Sequence, residues 1–142
     1  MFTSRSDFEI RWGDCDPAGI VFYPRYFEYF DAATAGLFAG ALGRRKSDWT
    51  ERYGVVGIPM VDTRARFILP SRHGDRVEIE TEIVEIRRSS FDVLHRLTKD
   101  GKLAVEGFET RVWTGRDPVD ETRIRSVEIP EEVRRKLSAR AR

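Results

Sequence analysis

Reactive side chains are scarce in this chain. It has one cysteine and two histidines, which excludes an internal disulfide framework and a cysteine-rich zinc site and fits a reducing compartment. An excess of one charge is missing as well. Lys plus Arg number 25 and Asp plus Glu 24, a balance of +1, so no net field draws the protein to nucleic acid or an anionic membrane. No apolar run approaches the roughly 20 residues of a membrane span. Neither a Gly-x-Ser-x-Gly elbow nor a Gly-x-Gly-x-x-Gly loop occurs, which argues against a serine hydrolase and a dinucleotide enzyme. Residues 1–6 lack the apolar core of a secretory signal, and the expected location is cytoplasmic. No repeat or linker divides the 142 residues, of which 40% are apolar. One core and one domain over 1–142 are expected.

The periodicity predicts one strand, one long helix and then several strands. Residues 7–12 alternate polar and apolar as a half-buried strand does. From Pro24 to Leu42 a helical stripe holds Phe27, Phe30, Thr34, Leu37, Phe38 and Ala41, while Tyr29, Ala32, Gly36 and Ala39 make the opposite side scarcely polar, so this helix is expected to be enclosed. Ser47 is the expected cap of a short second helix. Strands follow over 61–69 and 77–86, with a bulge where the phase slips at Ile83-Val84. The next two, around 91–97 and 103–112, are joined by the hairpin signal Asp100-Gly101. A second bulge is expected at Gly107, a last strand over 124–129, and a helix opened by Pro130. This order is α+β, and its simplest burial solution is a curved antiparallel sheet wrapped around the long helix. The open edges of such a sheet predict a homo-oligomer.

Ahead of the long helix runs an acidic loop, Gly13-Asp14-Cys15-Asp16-Pro17-Ala18-Gly19. Pro17 fixes its φ and Gly19 permits a positive one, so the backbone turns here. Pro24 suits the first helical position, and a helix start offers unpaired N–H donors to an anion. Several readings are open on the residues alone. The loop can be a plain turn. Asp14 and Asp16 can hold Mg²⁺, although no third carboxylate joins them. Cys15 can be a nucleophile, although flanking carboxylates oppose its ionisation, or a structural thiol. One Asp can serve as nucleophile or general base toward a carbonyl polarised at the helix start. His73 and His95 are expected to be structural, most of the aromatics between Phe22 and Phe30 to be core, and the basic tail 134–142 to be a solvated helix end.

The run from Gly13 to Pro24, continuing through Tyr29-Phe30-Asp31-Ala32-Ala33, closely resembles the active-site signature of the 4-hydroxybenzoyl-CoA thioesterase family of hot-dog-fold enzymes. Weaker similarity extends through 54–59 and 87–91 to Ile129-Pro130. The resemblance implies a dimer or tetramer of hot-dog subunits that hydrolyses an acyl-CoA thioester without a metal or other cofactor. It implies that Asp16 is the catalytic carboxylate, that the backbone N–H of Tyr23 at the helix start donates to the thioester oxygen, that Gly19 contacts the substrate, and that Asp31 lies near a ring substituent. Arg87, Arg88 and Ser89 fall where the family contacts CoA phosphates, with Ser89-Ser90 standing where the aryl-CoA enzyme has a further basic residue. An aromatic acyl group is the expected substrate. A short- or branched-chain ester and a non-catalytic acyl-CoA-binding oligomer are the alternatives.

Overall fold

A computed structural model describes residues 1–140, so Ala141 and Arg142 of the basic tail lie outside the described residues. Five strands, β1 Thr3–Glu9, β2 Met60–Phe67, β3 Arg76–Ile86, β4 Ser90–Lys99 and β5 Lys102–Val112, form an antiparallel sheet in the order β1-β3-β4-β5-β2. The long helix α1, Pro24–Leu42, packs across one face of it. The short helices α2, Lys46–Tyr53, and α3, Glu131–Ser138, close its C-terminal end. The expected α+β class is present, with the antiparallel sheet laid against the long helix.

Helix α1 starts at Pro24, where the missing N–H costs nothing, and stops at Gly43, whose φ of 138° lies outside the helical range. Its buried face is Tyr26, Phe30, Ala33, Thr34, Leu37 and Phe38, spaced at the helical period. The expectation of an enclosed helix needs correcting, because Asp31, Ala32, Ala35 and Gly36 are exposed. Five strands cover one side of the helix only. Two apolar clusters result. One around Leu37, Phe38, Phe91 and Trp113 lies toward the end of α1, and one around Tyr26, Phe30, Ile79 and Leu97 lies toward its start.

Several boundaries differ from expectation. The first strand is Thr3–Glu9 rather than 7–12; Ile10 is buried, and Trp12–Asp14 coil into a 3-10 turn. The serines of β1 carried no apolar signal because its inner side lines an open groove beside α1. Helix α2 begins at Lys46, and the side chain that ties off its start is Asp48, which accepts the Arg45 N–H at 3.2 Å, not Ser47. The last strand shortens to β7, Ile124–Ser126, which pairs with β6, Thr114–Arg116, as a separate ribbon. The bulge at Val84 stands where the phase slip placed it, with the register shifting between Ile83 and Glu85. Asp100 and Gly101 both have positive φ, 52° and 74°, as a two-residue hairpin turn demands.

The second bulge lies elsewhere than Gly107. The register of β4 against β5 shifts between Leu97 and Thr98, which leaves Ala104 as the extra residue. Gly107 pairs in register with His95 on one side and Ala65 on the other. A glycine is required there for a packing reason, since a Cβ would overlap the ring of Phe30. That ring stacks on His95, with centroids 4.7 Å apart and planes 13° from parallel. Gly107→Ala should therefore destabilise the fold by about 1–3 kcal/mol through overpacking, measurable by denaturant unfolding. In a Phe30→Leu background the same change should cost less.

Candidate functional site

The acidic loop is built by its own backbone. Asp16 N–H donates to Ile20 O at 2.8 Å, Gly19 N–H donates to Asp16 O at 2.9 Å, and Cys15 pairs with Val21 as an isolated bridge. Gly19 holds a φ of 80°, which a side chain would resist. The Asp16 carboxylate accepts the Ala18 N–H through Oδ1 at 2.9 Å, an Asx turn that fixes the side chain. Oδ2 has no partner among the described residues. The loop is tied to the sheet by Val21 N–H to Ser71 O at 2.9 Å and to itself by Phe22 N–H to Asp14 O at 2.8 Å.

The helix start is arranged so that one donor remains. Arg25 N–H bonds back to Phe22 O and Tyr26 N–H to Tyr23 O, Pro24 has no N–H, and Phe22 N–H is used by Asp14. The Tyr23 N–H alone in this turn finds no acceptor among the described residues. It stands at the positive end of a 19-residue helix. The Tyr23 side chain is exposed and lines, with Ile20, Tyr26 and Phe67, a mainly apolar cavity of about 240 Å³.

Asp14 fastens this loop to α1. Its Oδ2 accepts the Tyr29 hydroxyl at 2.8 Å, and its Oδ1 lies 3.7 Å from Arg25 Nε. Burial together with this bond to a carboxylate pushes the Tyr29 phenol well above its ordinary pKa, so it stays a donor. Cys15 is half-buried, with its thiol 3.6 Å from Arg11 O. Among the described residues no three His, Cys, Asp or Glu side chains converge on a point that could hold a metal.

The other residues singled out by sequence are not gathered here. Asp31 lies on the flank of α1, eight residues past Tyr23 and so about 12 Å along the axis. Its Oδ1 accepts Arg111 Nη2 at 2.8 Å. Arg87, Arg88 and Ser89 form the turn after β3. The loop touches the chain just before β3, at Ser71, so the whole strand, roughly 30 Å long, separates the two groups. The Arg87 guanidinium is engaged by both oxygens of Asp92 at 3.0 and 2.6 Å and by Ser90 Oγ, and Arg87 in turn holds the Asp92 carboxyl below the usual range. Arg88 is exposed and makes no ion pair among the described residues. Ser89 is half-buried and accepts Trp113 N–H at 2.7 Å through its carbonyl. His73 is exposed; His95 is fully buried.

A polar seam went unread in the sequence. Between the two apolar clusters, Thr81 Oγ1 meets His95 Nδ1 at 2.8 Å, and His95 Nε2 lies 3.2 Å from Thr34 Oγ1 and 3.3 Å from Glu109 Oε2. Thr34 donates to Glu109 Oε1 at 2.7 Å, and Arg111 Nε donates to the same oxygen at 2.9 Å. Glu109 and Arg111 share the inward face of β5 with Val105, in phase with Trp113 just past its end. Charged residues in phase with that apolar pair were the available signal, masked by putting the bulge at Gly107. Burial raises the Glu109 pKa, but the bonds from His95 and Arg111 more than offset it, and its carboxyl sits below the ordinary range.

Residues 10–137 match the model of the thioesterase-like superfamily. The chain belongs to that family. It is 37% identical over 127 residues, 85% of this chain and 87% of the other, to the 4-hydroxybenzoyl-CoA thioesterase of Pseudomonas sp. strain CBS-3. A 1,4-dihydroxy-2-naphthoyl-CoA hydrolase of Synechococcus elongatus is 33% identical over 89 residues, 63% of this chain and 65% of its own. A crystal structure of a mutant 4-hydroxybenzoyl-CoA thioesterase in complex with 4-hydroxybenzoyl-CoA superposes with a TM-score of 0.85 at 33% identity, covering 96% of this chain and 99% of that one. The architecture is thus the hot-dog fold.

The depressed Glu109 carboxyl stabilises this thioesterase-family fold above its unfolded pKa of about 4.5, and that contribution disappears as pH falls through the lower folded value. Glu109→Gln should lower the thermal midpoint at neutral pH and flatten its fall in acid. Scans from pH 7 down to about pH 3 check this, and parallel acid limbs for the two proteins would refute it.

Proposed function

We propose that this chain is an acyl-CoA thioesterase that hydrolyses an aromatic CoA thioester, of the benzoyl or 4-hydroxybenzoyl type, to the carboxylate and free CoA. The observation that carries the reading is the pairing of one free N–H at the start of α1, on Tyr23, with a loop carboxylate that keeps one oxygen free, on Asp16. The thioester oxygen accepts the Tyr23 N–H, where the helix dipole favours the negative charge that develops on attack. The free Asp16 oxygen then either adds to the carbonyl carbon or takes a proton from the water that adds. In the first route the thiolate leaves and water cleaves the resulting anhydride; in the second, the water oxygen bonds to the carbonyl carbon and the tetrahedral intermediate expels the CoA thiolate, which takes up the proton.

The aromatic preference has two supports. The relatives' substrates are hydroxyaryl thioesters, and Asp31 stands about 12 Å along the helix from Tyr23. A para-hydroxybenzoyl group with a hydrogen bond of about 2.8 Å at each end has much the same length. No cofactor is invoked, since the carboxylate that attacks or activates water and the oxyanion donor both come from the chain. Arg88 and the half-buried Arg87 turn suit CoA phosphates, but they lie the length of β3 away from their own Asp16. A second subunit supplies them in this reading. The exposed apolar residues Val61, Phe67 and Ile68 on and beside the free edge of β2 supply a surface for a homodimer or homotetramer in the cytoplasm.

Asp16→Asn should abolish hydrolysis, followed by thiol release, while a CoA ester still binds. Retained turnover in that variant would dismiss Asp16. Tyr23→Pro removes the N–H at a residue whose φ of −52° proline accepts, and kcat should fall roughly 10²–10³-fold, whereas Tyr23→Phe should keep most of it. Among benzoyl-, 4-hydroxybenzoyl-, phenylacetyl- and short-chain acyl-CoA esters, an aryl ester should give the highest kcat/KM; a clear win for an aliphatic ester favours the short-chain alternative. Light scattering should find at least a dimer, and a fully active monomer would contradict the shared site.

A further inference from the structure

The geometry points to Arg111 as a positioning residue that sets this enzyme's selectivity for acyl groups carrying a hydroxyl, acting through Asp31 and held in place by the buried Glu109 and His95. The inference rests on the aryl-CoA reading and on Asp31 as the side chain that meets the ring substituent.

Asp31 by itself is poorly suited to discriminate. Its side chain is 70% exposed on the flank of α1, and a carboxylate free to change rotamer loses entropy whenever it engages a ligand. Arg111 removes that freedom. Its own side chain is only 8% exposed, and its guanidinium is fixed from several directions: Nε to Glu109 Oε1 at 2.9 Å, Nη1 to Ile58 O at 3.1 Å, and Nη2 to Asp31 Oδ1 at 2.8 Å. Glu109 is immobilised in turn by Thr34 and His95, and His95 by Thr81 and the stacked ring of Phe30. The orientation of one exposed carboxylate is thus referred back to the core.

Only Oδ1 of Asp31 is used, so Oδ2 can accept a hydrogen bond. Asp31 and Arg111 both border a cavity of about 240 Å³ whose wall includes Phe38, Trp49 and Ile58. An aryl hydroxyl that reaches the rim of this cavity from the Tyr23 side meets an acceptor held in one orientation.

The test is the ratio of kcat/KM for 4-hydroxybenzoyl-CoA to that for benzoyl-CoA. In Asp31→Asn this ratio should fall roughly ten- to a hundredfold. Arg111→Gln should lower it at least about fivefold, and the Asp31→Asn/Arg111→Gln double variant no further than Asp31→Asn alone, since the second change acts through the first. Arg111→Lys keeps a cation for Glu109 if the glutamine variant folds poorly, and it should still lower the ratio because an ammonium cannot fork to both carboxylates. A merely structural Arg111 would depress both substrates equally. Unchanged ratios in both Arg111 variants, with a fallen ratio in Asp31→Asn, would overturn the inference and leave Asp31 in its role. An unchanged ratio in Asp31→Asn would remove Asp31 itself, and the inference with it.

Discussion

The distance at which α1 approaches the sheet is set where Phe30 lies over Gly107. Because position 107 has no Cβ, the Phe30 ring reaches the sheet and lies flat on His95. That contact sets the rotation of the helix about its axis. Thr34, four residues on, then comes within bonding distance of both His95 and Glu109, and Asp31 reaches Arg111. The same rotation directs Tyr29 toward Asp14. A packing contact between an aromatic ring and a glycine thereby fixes polar groups along much of α1.

At the start of α1 the limiting resource is backbone hydrogen-bonding capacity. A helix begins with four N–H positions that lack partners inside it; here proline removes one and the tightened first turn uses two, while Asp14 takes the N–H of Phe22 just ahead of them. The single remainder is on Tyr23. The acidic loop likewise spends one of its two carboxylates on structure, Asp14 on the helix, and holds the other, Asp16, by one oxygen only. The two aspartates, a single residue apart, differ in role because one faces Tyr29 and Arg25 whereas the other caps its own turn.

The buried seam has an energetic consequence. An ion pair such as Glu109 with Arg111 has to be fully hydrogen-bonded to offset the cost of leaving water, and here every Glu109 oxygen and three Arg111 nitrogens are engaged. Placing such a seam between two apolar clusters interrupts what would otherwise be one continuous core, and it does so where α1 presents Asp31 to a cavity.

Local patterns were legible in the sequence: the proline start of α1, the phase slip at Val84, the Asp100-Gly101 hairpin and the acidic turn all follow from φ preferences and periodicity, which act between near neighbours. The thioesterase family was legible too, in the run from Gly13 to Ala33. Position 107 was not, since a glycine needed for a ring 77 residues away reads in sequence like a glycine needed for a bulge. The burial of Glu109, His95 and Arg111, the engagement of Arg87 by Asp92 and the open side of α1 were decided by tertiary structure. Each depends on which groups meet across the sheet, and a residue's spacing along the chain carries no record of the partner that reaches it from another element.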